Sequence, residues 1–157
     1  MKVLTSLDYA DLLSWIAYTK YGVLLNKTQI NKLLFMCYGM YLAATNGQVL
    51  FEDDIPKAWP FGPVFPRVYK KFVPGKIPVS FTQDMQEAFK KNPISMQLAS
   101  MIIDKYHAYS AYALSEWSHK EGGPWHTTIY GIDGKKQIQW NQIIDKKLIQ
   151  KYFTPNK

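Results

Sequence analysis

The chain has 157 residues, with nineteen Lys and Arg against twelve Asp and Glu, a net charge of +7, and 47% apolar against 20% charged residues. That length fits a single domain over 1–157, and the composition excludes a disordered chain: about 70% of the unfolded surface should be buried. Cys37 is the only cysteine, so no internal disulfide can form and an intracellular home is favoured.

The first residues hold no apolar run long enough for a secretory signal. No uncharged stretch reaches the ~18 residues that a membrane-spanning helix needs. A cytoplasmic protein without a membrane partner is expected. The positive charge is compatible with nucleic acid, a membrane surface or an acidic protein as partner classes. The lysines, however, fall in dispersed pairs, Lys70-Lys71, Lys90-Lys91, Lys135-Lys136 and Lys146-Lys147, and Arg67 is the single arginine. Base-edge and phosphate recognition lean on the arginine fork, so no specific nucleic-acid partner is expected.

Ser6 can cap a first helix from Leu7 to about Tyr21, ended by Gly22. Thr28 is read as the cap of a second helix, in which Ile30, Leu33, Leu34, Cys37, Tyr38, Tyr41 and Leu42 repeat at helical spacing until Asn46-Gly47. This is the strongest periodic signal and predicts the central buried helix. From Gln48 to Pro66 the period disappears among Pro56, Pro60, Pro63 and Pro66, which predicts short strands or turns. A short helix follows Pro66, with Val68, Tyr69 and Phe72 on its apolar face.

Ile77 to Phe81 could supply an edge strand, and Asp84 to Lys91 a short helix ended by Asn92-Pro93. Ser95 is read as the cap of a helix bearing Leu98, Ala99, Ile102, Ile103 and Tyr106, and Ser110 as the start of another to His119. Gly122-Gly123-Pro124 breaks the chain, and Gly131 to Gly134 is a turn. Ile138 and Trp140 could form a brief strand. Asn141 then caps a last helix with Ile143, Ile144, Leu148 and Tyr152 on its face. The expected fold is all-α, about seven helices, with one small β element.

No catalytic residues are identified. His119, Glu121 and His126 match no metal-ligand spacing, so neither a metal nor any other cofactor is expected. Cys37 falls on an apolar helix face, where a thiol is inert packing. No phosphate loop, nucleophile elbow or dinucleotide fingerprint occurs. Glu52, Asp53 and Asp54 lie in a turn-prone region and read as solvated.

Two stretches stand out. Residues 55–69 pack four prolines and four aromatic rings into fifteen positions without a helical face. A proline-braced loop of that kind suits binding, because little ordering entropy remains to be lost. Residues 114–125 place Trp117, His119 and Glu121 at a helix end before a stiff turn.

Three motifs in these stretches and in the second helix resemble the Panacea antitoxin family, the SocA-like group often found in prophage neighbourhoods. The run Lys32-Leu33-Leu34 resembles its helical K-L-L segment. Ala58-Trp59-Pro60-Phe61-Gly62-Pro63-Val64 with Val68-Tyr69 resembles its A-W-x-x-G-P-V-x-x-x-V-Y signature. Leu114-Ser115, Ser118-His119, Glu121 and Pro124-Trp125 resemble its L-S-x-x-T-H-x-E-x-P-W motif, with Ser118 for Thr and an extra residue in Gly122-Gly123 as departures. The resemblance extends over roughly residues 5 to 150.

The resemblance implies an antitoxin, not an enzyme, that neutralises a co-encoded toxin by direct contact. A proteolytic adaptor delivering its toxin to an AAA+ protease is one alternative, and a nucleic-acid-binding regulator is another. Lys57, Trp59, Phe61, Arg67, Tyr69, His119, Glu121 and Trp125 are the candidate toxin-binding residues. Trp59 and Trp125 are expected to be core rings, with Lys57, Arg67 and His119 as the more exposed contacts.

Overall fold

The structure is a computed structural model that describes residues 3–73, 83–131 and 140–155. Helix α1 (Ser6–Tyr21) begins at a capping box: Asp8 N donates to Thr5 Oγ1 and Thr5 N donates to Asp8 Oδ2. Thr5 is therefore the cap, one residue before the expected Ser6. Ser6 instead donates its N–H and hydroxyl to Asp53 at 2.8 and 2.9 Å, tying the start of α1 to a distant loop. Gly22 ends α1 in the left-handed region, as expected.

Helix α2 (Lys27–Ala44) opens on a second capping box, Asn26 with Gln29, which puts Thr28 inside the helix. Every residue from Ile30 to Gly39 is buried. A helix covered on all sides is the axis of a bundle rather than a surface helix, and α2 contacts α1, α3, α5, α6, α8 and β2.

Strands β1 (Lys57–Trp59) and β2 (Gly62–Val64) form a hairpin whose two-residue turn is Pro60-Phe61. Helix α3 (Pro66–Lys71) follows at once, with Pro66 in its first turn and the Asp54 carboxylate accepting from Arg67 N and Val68 N. Asp54 is thus buried as a helix cap, not solvated as its turn-prone sequence suggested. The expected strand at Ile77 to Phe81 lies outside the described residues.

Helix α4 (Gln83–Lys90) is followed by α5 (Pro93–Tyr106), capped by Asn92 rather than Ser95. Ser95 is fully buried and accepts from the Tyr9 hydroxyl at 3.0 Å. Helix α6 (Ala111–Ser118) starts at Ser110 as expected. Pro124 then opens α7 (Pro124–Tyr130), a helix the breaker concealed, which makes eight helices among the described residues.

Strand β3 (Gln142–Ile143) pairs antiparallel with β1, giving the order β2-β1-β3. Trp140 lies just outside this strand, and Ile138 is outside the described residues. The last helix, α8 (Lys146–Phe153), is capped by Asp145, not Asn141, so its buried position is Ile149 and Tyr152 faces outward.

Rings fill the space between α1, α2 and the hairpin. Tyr9 meets Phe89 edge-on at 5.2 Å, and Phe51 lies 5.3 Å from Tyr38 and 5.2 Å from Phe65. Each such pair adds about 0.5–1.5 kcal/mol beyond burial. This cluster anchors the base of the hairpin and fixes where its tip stands.

Candidate functional site: a clamped hairpin

The hairpin is short, proline-rich and unable to bury much apolar surface of its own. It is held instead by three side chains that reach its main-chain carbonyls. Lys32 Nζ of α2 donates to Pro63 O at 2.9 Å. His119 Nε2, at the end of α6, meets Pro60 O at 2.9 Å, while its Nδ1 meets Ser115 O at 2.6 Å. Trp125 Nε1 of α7 donates to Trp59 O at 2.7 Å. Asn31 Oδ1 accepts from Phe65 N at 2.9 Å and closes the far end.

Gly62 sits at the focus of this clamp. Its φ of +111° belongs to the region that side-chain-bearing residues avoid, and a Cβ there would stand 2.5 Å from Ser118 Oγ and 3.2 Å from Lys32 Cε. Ala58 is completely buried, which leaves no exposed face for a larger side chain at that position. The small residues of the hairpin thus have steric reasons.

Lys32 is only 2% exposed. Burial lowers its pKa from 10.5 to about 8, because an ammonium loses hydration there that one carbonyl replaces only in part. The sequence marked Lys32 only as part of the K-L-L segment and not as a site residue, although a lysine within an otherwise apolar helix was the available signal. Asn141 was also misread. It adopts a positive φ, donates its N–H to Ala58 O at 2.8 Å and accepts from Trp59 Nε1 at 2.8 Å.

The two stretches singled out in the sequence are therefore one site. His119 and Trp125 stand behind the hairpin, their rings 4.2 Å apart and edge-on. Trp125 is 4% exposed, a core ring as expected. Trp59 is half-buried, short of the core position expected for it, since one side faces outward from β1. It meets Tyr69 of α3 at 5.1 Å and Phe61 at 6.3 Å, both edge-on, and Lys27 Nζ lies 4.8 Å over the Tyr69 ring. Phe61, at the turn, is 50% exposed.

The remaining candidates are spread around this ridge. Lys57 is half-buried on β1, between Val64 and Ile143. Arg67 is exposed on α3, its Nε 3.5 Å from Asp53 Oδ2. Glu121 is exposed in the turn between α6 and α7. Among the described residues no group of three His, Cys, Asp or Glu side chains could hold a metal ion, and no helix is long and apolar enough to cross a membrane. Cys37 is buried, and burial pushes its thiol up to about 12.

Residues 30–126, from the first buried turn of α2 through the clamp to α7, match the family model of the SocA-like antitoxin Panacea domain. The chain belongs to that family. The match is shorter at both ends than the span read from the sequence, and it takes in Lys32, the whole hairpin, His119 and Trp125. Helices α1 and α8 lie outside it but pack directly on α2, completing the bundle around the Panacea core. No curated protein and no solved structure matches the chain.

Proposed function

We propose that this Panacea protein is an antitoxin that neutralises a co-encoded toxin by direct, stoichiometric protein–protein contact. The observation that carries the reading is the division of labour in the site. The signature residues Lys32, Gly62, His119 and Trp125 turn inward and hold the hairpin, while Trp59, Phe61 and Tyr69 form a ridge that the hold presents outward. A rigid aromatic ridge loses little entropy on binding, and Trp and Tyr are enriched among residues that dominate interfaces.

Co-expression with the product of the adjacent gene tests this. Growth should be rescued, and the two proteins should co-purify in fixed ratio. Rescue by far less Panacea protein than toxin, with no complex and with toxin levels falling only in cells that retain their AAA+ proteases, would replace neutralisation by binding with adaptor-mediated degradation.

A further inference from the structure

The ridge lies in a one-sided stretch of charge. Residues 55–73 carry Lys57, Arg67, Lys70 and Lys71 and not one Asp or Glu. Lys70 and Lys71 are exposed at the end of α3, next in sequence to Tyr69, and Lys27 adds its ammonium over the Tyr69 ring. Two other exposed rings keep acidic company: Tyr21 donates to Asp104 at 2.6 Å, and Tyr112 hydrogen-bonds Glu116 on its own helix. The acids described on this face stand at the start of α3, where Asp53 meets Arg67 and the Asp54 carboxylate accepts from Arg67 N and Val68 N.

Resting on the antitoxin reading, we infer that the hairpin–α3 face docks an acidic surface of the toxin, with Phe61 entering an apolar socket and Lys70 and Lys71 meeting carboxylates around its rim. The tip is fixed before the partner arrives, so Phe61 can act as an anchor that excludes water at the centre of the contact. The lysines around it steer encounter and reject basic surfaces, which is what rim charges do more than they add affinity.

A nucleic acid fits the same face less well. Trp59 stands at 70° to both Phe61 and Tyr69. The ridge therefore offers one projecting ring rather than successive parallel faces on which bases stack. The single arginine is already engaged by Asp53.

The test uses the complex with the adjacent gene product, obtained by co-expression, so that loss of the complex itself is scored first. If wild-type chain and that product never associate, the antitoxin reading falls and takes this inference with it. Given a complex, Lys70→Glu/Lys71→Glu should slow association about tenfold or more, most strongly at about 50 mM salt and less at about 200 mM. Phe61→Ala should weaken binding about tenfold or more, chiefly through faster dissociation. The charge-matched control Lys90→Glu/Lys91→Glu, at the end of α4, should change affinity less than about twofold, since distant rim charges are screened. An intact complex whose affinity is indifferent to residues 61, 70 and 71, or equally damaged by the control, overturns the assignment. So does tight binding of a random-sequence single- or double-stranded oligonucleotide to this face at about 150 mM salt, in competition with the protein partner.

Discussion

An ammonium group 2% exposed, with a carbonyl 2.9 Å away, is stable only as a compromise between desolvation and hydrogen bonding. Lys32 titrates near pH 8 in the folded chain, against an ordinary value of 10.5. Between those values the unfolded chain binds a proton that the folded chain does not, so this group makes stability rise with pH. Cys37, Tyr9 and Tyr38, all pushed up to about 12 by burial, act in the opposite sense at alkaline pH, because the folded state retains their protons. The Lys32 contribution is isolated by comparison with Lys32→Met. Denaturant unfolding at several pH values should show the wild type gaining, relative to the variant, up to about 3 kcal/mol from pH 8 to 10.5. A constant gap between the two across that range would mean that Lys32 stays charged throughout.

The two tryptophans of the site separate at the same scale. Trp125→Ala removes a buried ring and the donor to Trp59 O, and should cost about 3–5 kcal/mol. Trp59→Ala removes a half-buried ring and a partly exposed hydrogen bond to Asn141, and should cost distinctly less. Melting curves of the two variants check the order. Equal losses would place Trp59 in the core after all.

Among the elements, α8 is short and depends on one fit. Phe153 lies against Gly39, and a Cβ on that glycine would overlap the ring atoms of Phe153. Gly39→Ala should therefore push α8 away from α2, lowering the melting temperature by several degrees and raising amide exchange in Lys146–Phe153 ahead of the rest of the chain. Uniform exchange would show instead that α8 and the bundle open together. Helix existence, α7 apart, was legible from periodicity and breakers, whereas several helix starts were not, Ser110 of α6 being one that was. The serine and threonine nearest each predicted start were chosen, while the true caps at Thr5 and Asn26 are set by partners three residues on, Asp8 and Gln29. The pairing T-x-x-D and N-x-x-Q was visible in the sequence and needed only to be read as a reciprocal bond.

At the scale of the whole molecule, the mainly helical class followed from α2, whose stripe predicted a central helix. It is central and buried as expected, while the covering of every residue from Ile30 to Gly39 goes beyond the stripe, because amphipathic spacing reports one covered face and cannot report how many neighbours arrive from elsewhere in the chain. The site was half legible for a related reason. Two unusual stretches could be marked, but their union rests on side chains that reach Trp59 O, Pro60 O and Pro63 O, and every residue has such a carbonyl. Contacts to the main chain leave no mark on the identity of the residue that accepts them.

The same property makes position 61 interchangeable. Since the turn is secured through backbone acceptors and by the absence of a side chain at Gly62, its geometry owes little to the side chain at 61. A lineage could thus exchange one opponent for another by substitutions at the tip while its folding machinery stays untouched, a separation of inheritance between frame and target. A library carrying every residue except proline at position 61 should melt within a few degrees of the parent, as exposed substitutions usually do, while affinity for a given toxin spreads widely. Melting temperatures that scatter as broadly as the affinities would show that frame and target are constrained together.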